Sequence, residues 1–430
     1  MTKIALMFPG QGTQYVGMGK NLCSKYEVAN RTFEEANEFL GFDLKKLCFE
    51  GDIESLTKTE NAQPAILTTS VAHYRVYMHE FGIEPYVAAG HSLGEISALT
   101  CSGAISFGDA VKIVRARGRF MQEAAEQKSG SMCAVSGIDR EVINRECIRH
   151  SKDGSFVGIS NYNSFDQVVI SGQDEALEKT RISLSEMGAI IMPLKVSAPF
   201  HTPMMLPASE KFRDELKKYT FHESNWPVIS NINALPYQGS HTIEETLTCQ
   251  MIKPVLWEAT VKYMVNEGAS AAIELGPKAV LKKIMKRNAE NIRAFSFDLD
   301  EDYLAINKLF EDNNLENLGV SINKSFNSQN SVITKCLAIA ICTQNRNWNS
   351  AEYRNGVIEP YRKIQEIQET VEKSGVEPTE EQIYEALSML KSVLDTKLVP
   401  NGEKVERFNE IFKEFEMQEM FNDFIASETY

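Results

Sequence analysis

The sequence has no apolar run approaching the roughly 18 residues that span a bilayer, so no membrane segment is expected. A basic excess is missing too. The 45 Lys and Arg residues stand against 59 Asp and Glu, a net charge of −14, which removes nucleic acid from the expected partners. No CxxC spacing occurs: Cys23, Cys48, Cys101, Cys133, Cys147, Cys249, Cys336 and Cys342 stand singly, as reduced structural thiols do, and offer no zinc or other metal site. The opening MTKIALMFPGQG has one lysine and a short apolar run broken at Pro9-Gly10. It reads as a β-strand rather than a signal peptide, whose apolar stretch is longer. The expected location is cytoplasmic.

What is present is the composition of an ordinary globular protein, 43% hydrophobic and 24% charged. At 430 residues the chain exceeds one hydrophobic core, so two or three folding units are expected. The acidity is uneven. Residues 301–430 hold 23 acids and 13 bases, a net of −10, leaving only −4 for residues 1–300.

Residues 1–300 alternate short β-like runs with amphipathic stretches, the pattern of an α/β protein. Expected strands are Lys3–Phe8, Tyr86–Ala89, Gln167–Ser171, Ile190–Lys195, Pro227–Ser230 and Ala271–Glu274. Helices are expected from Ser92 to about Ser102 and over Phe107–Gln127. Residues 129–196 read as an insertion in the order strand (Met132–Val135), helix (Asp139–His150), strand, helix (Glu175–Met187), strand, compatible with a small ferredoxin-like sheet. Residues 311–331 are rich in Asn and Ser and read as a linker. Beyond it, Ile383, Leu387, Leu390 and Leu394 form one helical stripe, with Thr379 and Gln382 in a capping-box arrangement. Ala351–Glu372 and Glu403–Phe415 read as further helices. The stripe is expected to pack against the main body.

The strongest local motif is Gly90-His91-Ser92-Leu93-Gly94, which follows a strand and opens a helix. That is the G-x-S-x-G elbow in the context it needs: a tight turn lifts the serine hydroxyl, and the helix N-terminus supplies N–H groups near a developing oxyanion. A serine nucleophile needs a base. His91 sits in the turn itself, and His73, His79, His150, His222 and His241 have no chemical neighbours in sequence. His201 follows Val196–Phe200 at the end of a strand entering a loop. By position alone it is as readily an ordinary loop histidine as a base, and no acidic third member is evident.

Eight segments in order from residue 1 to about 300 resemble the malonyl-CoA:acyl carrier protein transacylase family, which includes the acyltransferases of polyketide assembly lines. They are FPGQGTQ (Phe8–Gln14), QPAI (Gln63–Ile66), GHSLGE (Gly90–Glu95), RARGRFMQ (Arg115–Gln122), SNYNSFDQVVISG (Ser160–Gly172), APFH (Ala198–His201), Gln250 with PVLW (Pro254–Trp257), and ELGP (Glu274–Pro277). The resemblance implies an α/β-hydrolase-like large subdomain over 1–128 and 197–310, a ferredoxin-like small subdomain over 129–196, and a helical C-terminal extension over 332–430. It implies Ser92 as nucleophile and His201 as general base, oriented by the backbone carbonyl of Gln250 instead of an aspartate. The backbone N–H groups of Gln11 and Leu93 would form the oxyanion hole. Arg117 would grip the free carboxylate of malonyl with two parallel hydrogen bonds, which a lysine cannot reproduce. Phe200, immediately before the histidine, would leave no room for an α-methyl branch and so select malonyl.

The partners implied are malonyl-CoA as substrate and an acyl carrier protein as acceptor, with no cofactor and a monomeric enzyme. Carrier proteins are acidic as a class, which makes Lys278, Lys282, Lys283, Lys286 and Arg287 a candidate docking cluster, or simply a solvated helix face. The sequence departs from the family pattern at Lys278-Ala279-Val280, where a second glycine is expected, and in its tail. Segments such as CTQNRNWNSAEYRNGVIEPY resemble the C-terminal region of free-standing, trans-acting polyketide acyltransferases. Two rivals remain. A proofreading acyl hydrolase would use the same serine and histidine but generally lacks the arginine. A non-catalytic scaffold would not need all three of Ser92, His201 and Arg117.

Overall fold

The computed structural model describes residues 3–127, 130–152, 154–194, 196, 198–312, 332–343, 347, 352, 354–374, 378–415 and 417. Ser129, Lys195, Ser197 and the linker residues 313–331 lie outside them. The chain divides into two compact units, Met1–Leu315 and Glu316–Tyr430.

In the first unit, strands β1 (Ile4–Phe8), β2 (Val87–Gly90), β7 (Val228–Ile229), β8 (Ala271–Glu274) and β9 (Arg293–Ser296) form a parallel sheet in the order β7-β2-β1-β8-β9. The sequence IALMF is continuously apolar because both faces are covered. Ile4, Leu6 and Phe8 enter one core cluster, while Ala5 and Met7 point into another with Trp257, Val261 and Met264. In the register of β1 and β2, Phe8 lies beside Gly90, so the loop after β1 and the turn after β2 leave the sheet at the same edge.

A second, antiparallel sheet is made of β3 (Gly130–Ser136), β4 (Val157–Ser164), β5 (Gln167–Gln173) and β6 (Ile190–Pro193), in the order β4-β5-β3-β6. Its helices are Arg140–His150, capped by Asp139, and Asp174–Glu186. The chain order is therefore β-α-β-β-α-β, one strand more than the sequence suggests. The added strand reads VGISNYNS, whose buried Ser160 and Asn161 are satisfied by each other and by Ser171, so it lacks an apolar alternation. β9 is likewise absent from the sequence expectation. Pairing between Asn161 and Val255 ties β4 to the segment Pro254–Trp257.

The helix Asp300–Asp312 runs through the expected start of the linker at residue 311. The missing family glycine leaves its turn intact, because Lys278 adopts φ +65° and its N–H donates to Asp298 Oδ2 at 2.7 Å.

The second unit contains helices Val332–Cys342, Glu359–Ser374, Glu380–Thr396 and Asn401–Glu414, with a π-helical turn at Arg354–Ile358, and the expected helix start at residue 351 lies outside the described residues. The Thr379–Gln382 capping box forms. The stripe expectation is corrected. Leu387, Leu390 and Leu394 are buried against Ile333, Leu337, Ile364 and Phe412, so this unit has its own core. No described helix is long and apolar enough to cross a membrane.

Candidate active site

The turn after β2 delivers Ser92 with φ +53° and ψ −107°, outside the ordinary L-residue regions, and the helix Leu93–Cys101 begins at the next residue. Glycines are obligatory on both sides. A Cβ at Gly90 would meet the Gly94 carbonyl at 1.8 Å, and one at Gly94 would meet Phe8 O at 1.9 Å. Asn231 holds the turn, accepting from Ser92 N–H at 2.7 Å and donating to Gly90 O at 2.7 Å.

Ser92 Oγ lies 2.7 Å from His201 Nε2. His201 Nδ1 lies 2.8 Å from the Gln250 carbonyl oxygen, which can only accept. The proton of a neutral imidazole is thereby placed on Nδ1, leaving the Nε2 lone pair facing the serine hydroxyl. His201 is 4% exposed. Burial, and then the Arg117 charge, push its pKa down to about 3, so the ring is neutral near pH 7. This arrangement serves a general base, and a backbone carbonyl takes the place of an acid.

Arg117, on the helix Phe107–Gln127, is 1% exposed. Its Nη2 donates to Gln250 Oε1 at 2.9 Å and to Ser92 Oγ at 3.3 Å, and its Nη1 donates to Gln63 Oε1 at 3.0 Å. The buried Nε has no partner among the described residues. Burial pushes the guanidinium pKa down to about 10, which leaves it charged at neutral pH. A charged fork with spare donors beside a nucleophilic oxygen suits an anionic substrate group.

Gln11 leaves the end of β1, its side chain donating to Thr59 Oγ1 at 3.3 Å. The backbone N–H groups of Gln11 and Leu93 have no acceptor among the described residues. Gln11 also lines a cleft of about 710 Å³ with Thr59, Gln122, Leu194 and Val196, although Ser92, His201 and Arg117 do not line it. Phe200 is buried in the main core beside His201. His91 turns away, pairing with Asn163 Oδ1 at 3.0 Å.

All seven sequence-derived site residues lie in this first unit. Four participants were missed: Gln63, which accepts from Arg117, Asn231, Tyr237 and the carboxylate of Glu95, whose Oε1 accepts from Tyr237 at 2.6 Å. Glu95 stands in the matched segment GHSLGE but no role followed from its position there. Among the described residues, no group of three or more His, Cys, Asp or Glu side chains is placed to hold a metal. The candidate docking cluster is reduced, because Lys282 is partly buried and paired with both Asp302 oxygens at 2.6 and 2.8 Å.

Residues 6–302 match the acyl transferase domain family. A malonyl CoA-acyl carrier protein transacylase of Bacillus subtilis is 38% identical over 405 residues, covering 94% of this chain and 99% of that one. The Escherichia coli K12 protein of the same name is 42% identical over 295 residues, covering 68% of this chain and 95% of its own. Among solved structures, a malonyl-transacylase in complex with its type II polyketide synthase acyl-carrier protein superposes with TM-score 0.69 and 38% identity, covering 71% of this chain and 100% of that one. The malonyl CoA-acyl carrier protein transacylase of Clostridium perfringens gives TM-score 0.69 at 39% identity, covering 73% and 99%.

Proposed function

Because the chain belongs to the acyl transferase family, we propose that it moves a malonyl group from malonyl-CoA to the phosphopantetheine thiol of an acyl carrier protein, through a malonyl ester on Ser92. One observation carries this reading: Ser92 Oγ is 2.7 Å from a neutral imidazole nitrogen and 3.3 Å from a buried guanidinium.

In the first half-reaction, Ser92 Oγ attacks the thioester carbonyl while its proton passes to His201 Nε2. The carbonyl oxygen becomes an oxyanion, for which the N–H groups of Gln11 and Leu93 are the candidate donors. Collapse breaks the C–S bond, and the departing CoA thiolate takes the proton from His201 Nε2. The carrier-protein thiol then repeats the sequence on the ester and restores Ser92. Arg117 holds the malonyl carboxylate throughout. No redox step occurs, so no cofactor is required. Phe200 is assigned the selection against α-branched acyl groups.

We divide the first unit into an α/β-hydrolase-like subdomain (1–128 and 197–310) and a ferredoxin-like one (129–196). Support comes from the continuous parallel sheet and from the β-α-β-β-α-β order of the inserted strands. A cytoplasmic, monomeric, trans-acting enzyme of polyketide synthesis completes the reading. The polyketide part is supported by the carrier-protein complex among the structural neighbours.

The test supplies malonyl-CoA with and without a holo acyl carrier protein and follows malonyl-carrier and free malonate. Transfer requires malonyl-carrier to form and malonate to stay low. Rapid malonate release with little carrier product would assign the hydrolase reading instead.

A further inference from the structure

Beneath the catalytic turn lies a carboxylate that the reaction above does not use. Glu95 is fully buried, three residues after Ser92. Its Oε2 accepts from Gln250 Nε2 at 2.7 Å and from Asn231 N–H at 3.2 Å, and its Oε1 accepts from Tyr237. We propose that Glu95 is a positioning residue for malonyl recognition: it fixes the orientation of the Gln250 side-chain amide, which in turn holds the Arg117 guanidinium beside Ser92. The proposal rests on the acyltransferase reading and extends it.

The inference follows from which groups can donate. A guanidinium only donates, and Glu95 Oε2, which receives N–H donors from both Gln250 and Asn231, accepts. The Gln250 amide stands between them and has one end of each kind. With Oε1 toward Arg117 (2.9 Å) and Nε2 toward Glu95 (2.7 Å), every group is matched. The same Nε2 donates to Ser92 O at 2.8 Å. The reversed amide would set NH₂ against guanidinium and oxygen against carboxylate, losing three hydrogen bonds among buried side chains. An amide at position 95 can offer either a donor or an acceptor, so it would no longer dictate the orientation of Gln250.

The main chain of Gln250 is a separate matter. Its carbonyl orients His201, and that contact survives any change in the side chain. The relay should therefore act on recognition of the acyl carboxylate and leave the serine–histidine pair alone. Burial is costly for a carboxylate and pushes Glu95 up to about 7, despite the hydrogen bonds that favour its charged form. The fold nevertheless places it under the side-chain amide that touches both Arg117 and Ser92 O.

The experiment measures single-turnover loading of Ser92 from malonyl-CoA and, separately, from acetyl-CoA, which has no carboxylate for Arg117. Glu95→Gln and Gln250→Ala are tested singly and together. Each single variant should lose about 10- to 100-fold in malonyl loading, with acetyl loading changed much less. In the Gln250→Ala background, Glu95→Gln should add little. Parallel loss for both acyl groups, or full additivity in the double variant, overturns the relay and makes Glu95 a purely structural residue. Should Glu95→Gln fail to fold, Glu95→Asp takes its place, since the shorter carboxylate draws back from the Gln250 amide, and unchanged malonyl-over-acetyl preference there overturns the proposal. If wild-type protein loads no malonyl, the acyltransferase reading itself has failed, a result distinct from each of these.

Discussion

Replacing Arg117 by alanine removes a cation that is 1% exposed and bonded to Gln63, Gln250 and Ser92. In the proposed complex the malonyl carboxylate takes up the spare donors of this guanidinium. Taking away one partner of a buried ion pair costs about 3–5 kcal/mol, because the other charge is left unpaired. At 1.36 kcal/mol per factor of ten, malonyl loading should fall roughly 10²- to nearly 10⁴-fold. Acetyl has no charge to strand. It loses only the long 3.3 Å contact with Ser92 Oγ, so its loading should fall less than about tenfold. Arg117→Lys keeps the charge but not the parallel pair of donors, and should fall between the two. Intact-mass kinetics of ester formation with each thioester give the six rates for wild type and the two variants, and a thermal melt checks that the variants fold. Equal losses for malonyl and acetyl, or a lysine variant as active as wild type, would refute the carboxylate-clamp argument.

Phe200→Ser should relax selectivity, raising methylmalonyl relative to malonyl loading by the equivalent of about 1–3 kcal/mol, as one methyl group warrants. An unchanged ratio would rule out the steric account. Acetyl loading should be flat from about pH 8 to 5, because the His201 pKa is lowered from 6.5 to about 3 and the neutral base persists. The same depression makes His201 a stabilising contributor above pH 6.5, lost as the pH falls from 6.5 toward 3, where the unfolded chain takes up a proton that the folded one resists. A reversible loss of acetyl loading centred near 6.5 would show that the imidazole is not shielded. Lys282→Ala strands the buried Asp302 carboxylate and should lower the melting temperature by on the order of 10 °C. Lys286→Glu, on an exposed side chain, should leave the melt unchanged and raise KM for carrier protein; an unchanged KM removes this face as a docking surface.

Much of this was legible in the sequence, for identifiable reasons. The parallel strands announce themselves because a strand covered on both faces is apolar throughout, as IALMF and VAAG are. The elbow is local, so GHSLG reveals it without any partner. β4 is hard to read because only Val157 and Ile159 of its buried residues are apolar, and its buried Ser160, Asn161, Asn163 and Ser164 give a pattern that reads as loop. Asn231 and Tyr237 reach Ser92 and Glu95 across 139 and 142 residues, with no motif to mark the contact. Arg117 shows the opposite failure. Its helix carries Arg115, Arg117 and Arg119, and only the family pattern separated the buried one from neighbours engaged in the ion pairs with Glu60 and Glu123. Lys282 misled for a similar reason, since a basic cluster in sequence does not disclose that Asp302 has already claimed one of its members.

The account stands most directly on the identity of the atom that carries the acyl group. Incubation with isotopically marked malonyl-CoA, followed by intact and peptide mass analysis, should find one malonyl ester on the peptide containing Ser92. The ester should vanish in Ser92→Ala and decline as holo acyl carrier protein gains the label. Label that persists in Ser92→Ala, or malonyl-carrier formed at the wild-type rate without Ser92, would contradict the central claim.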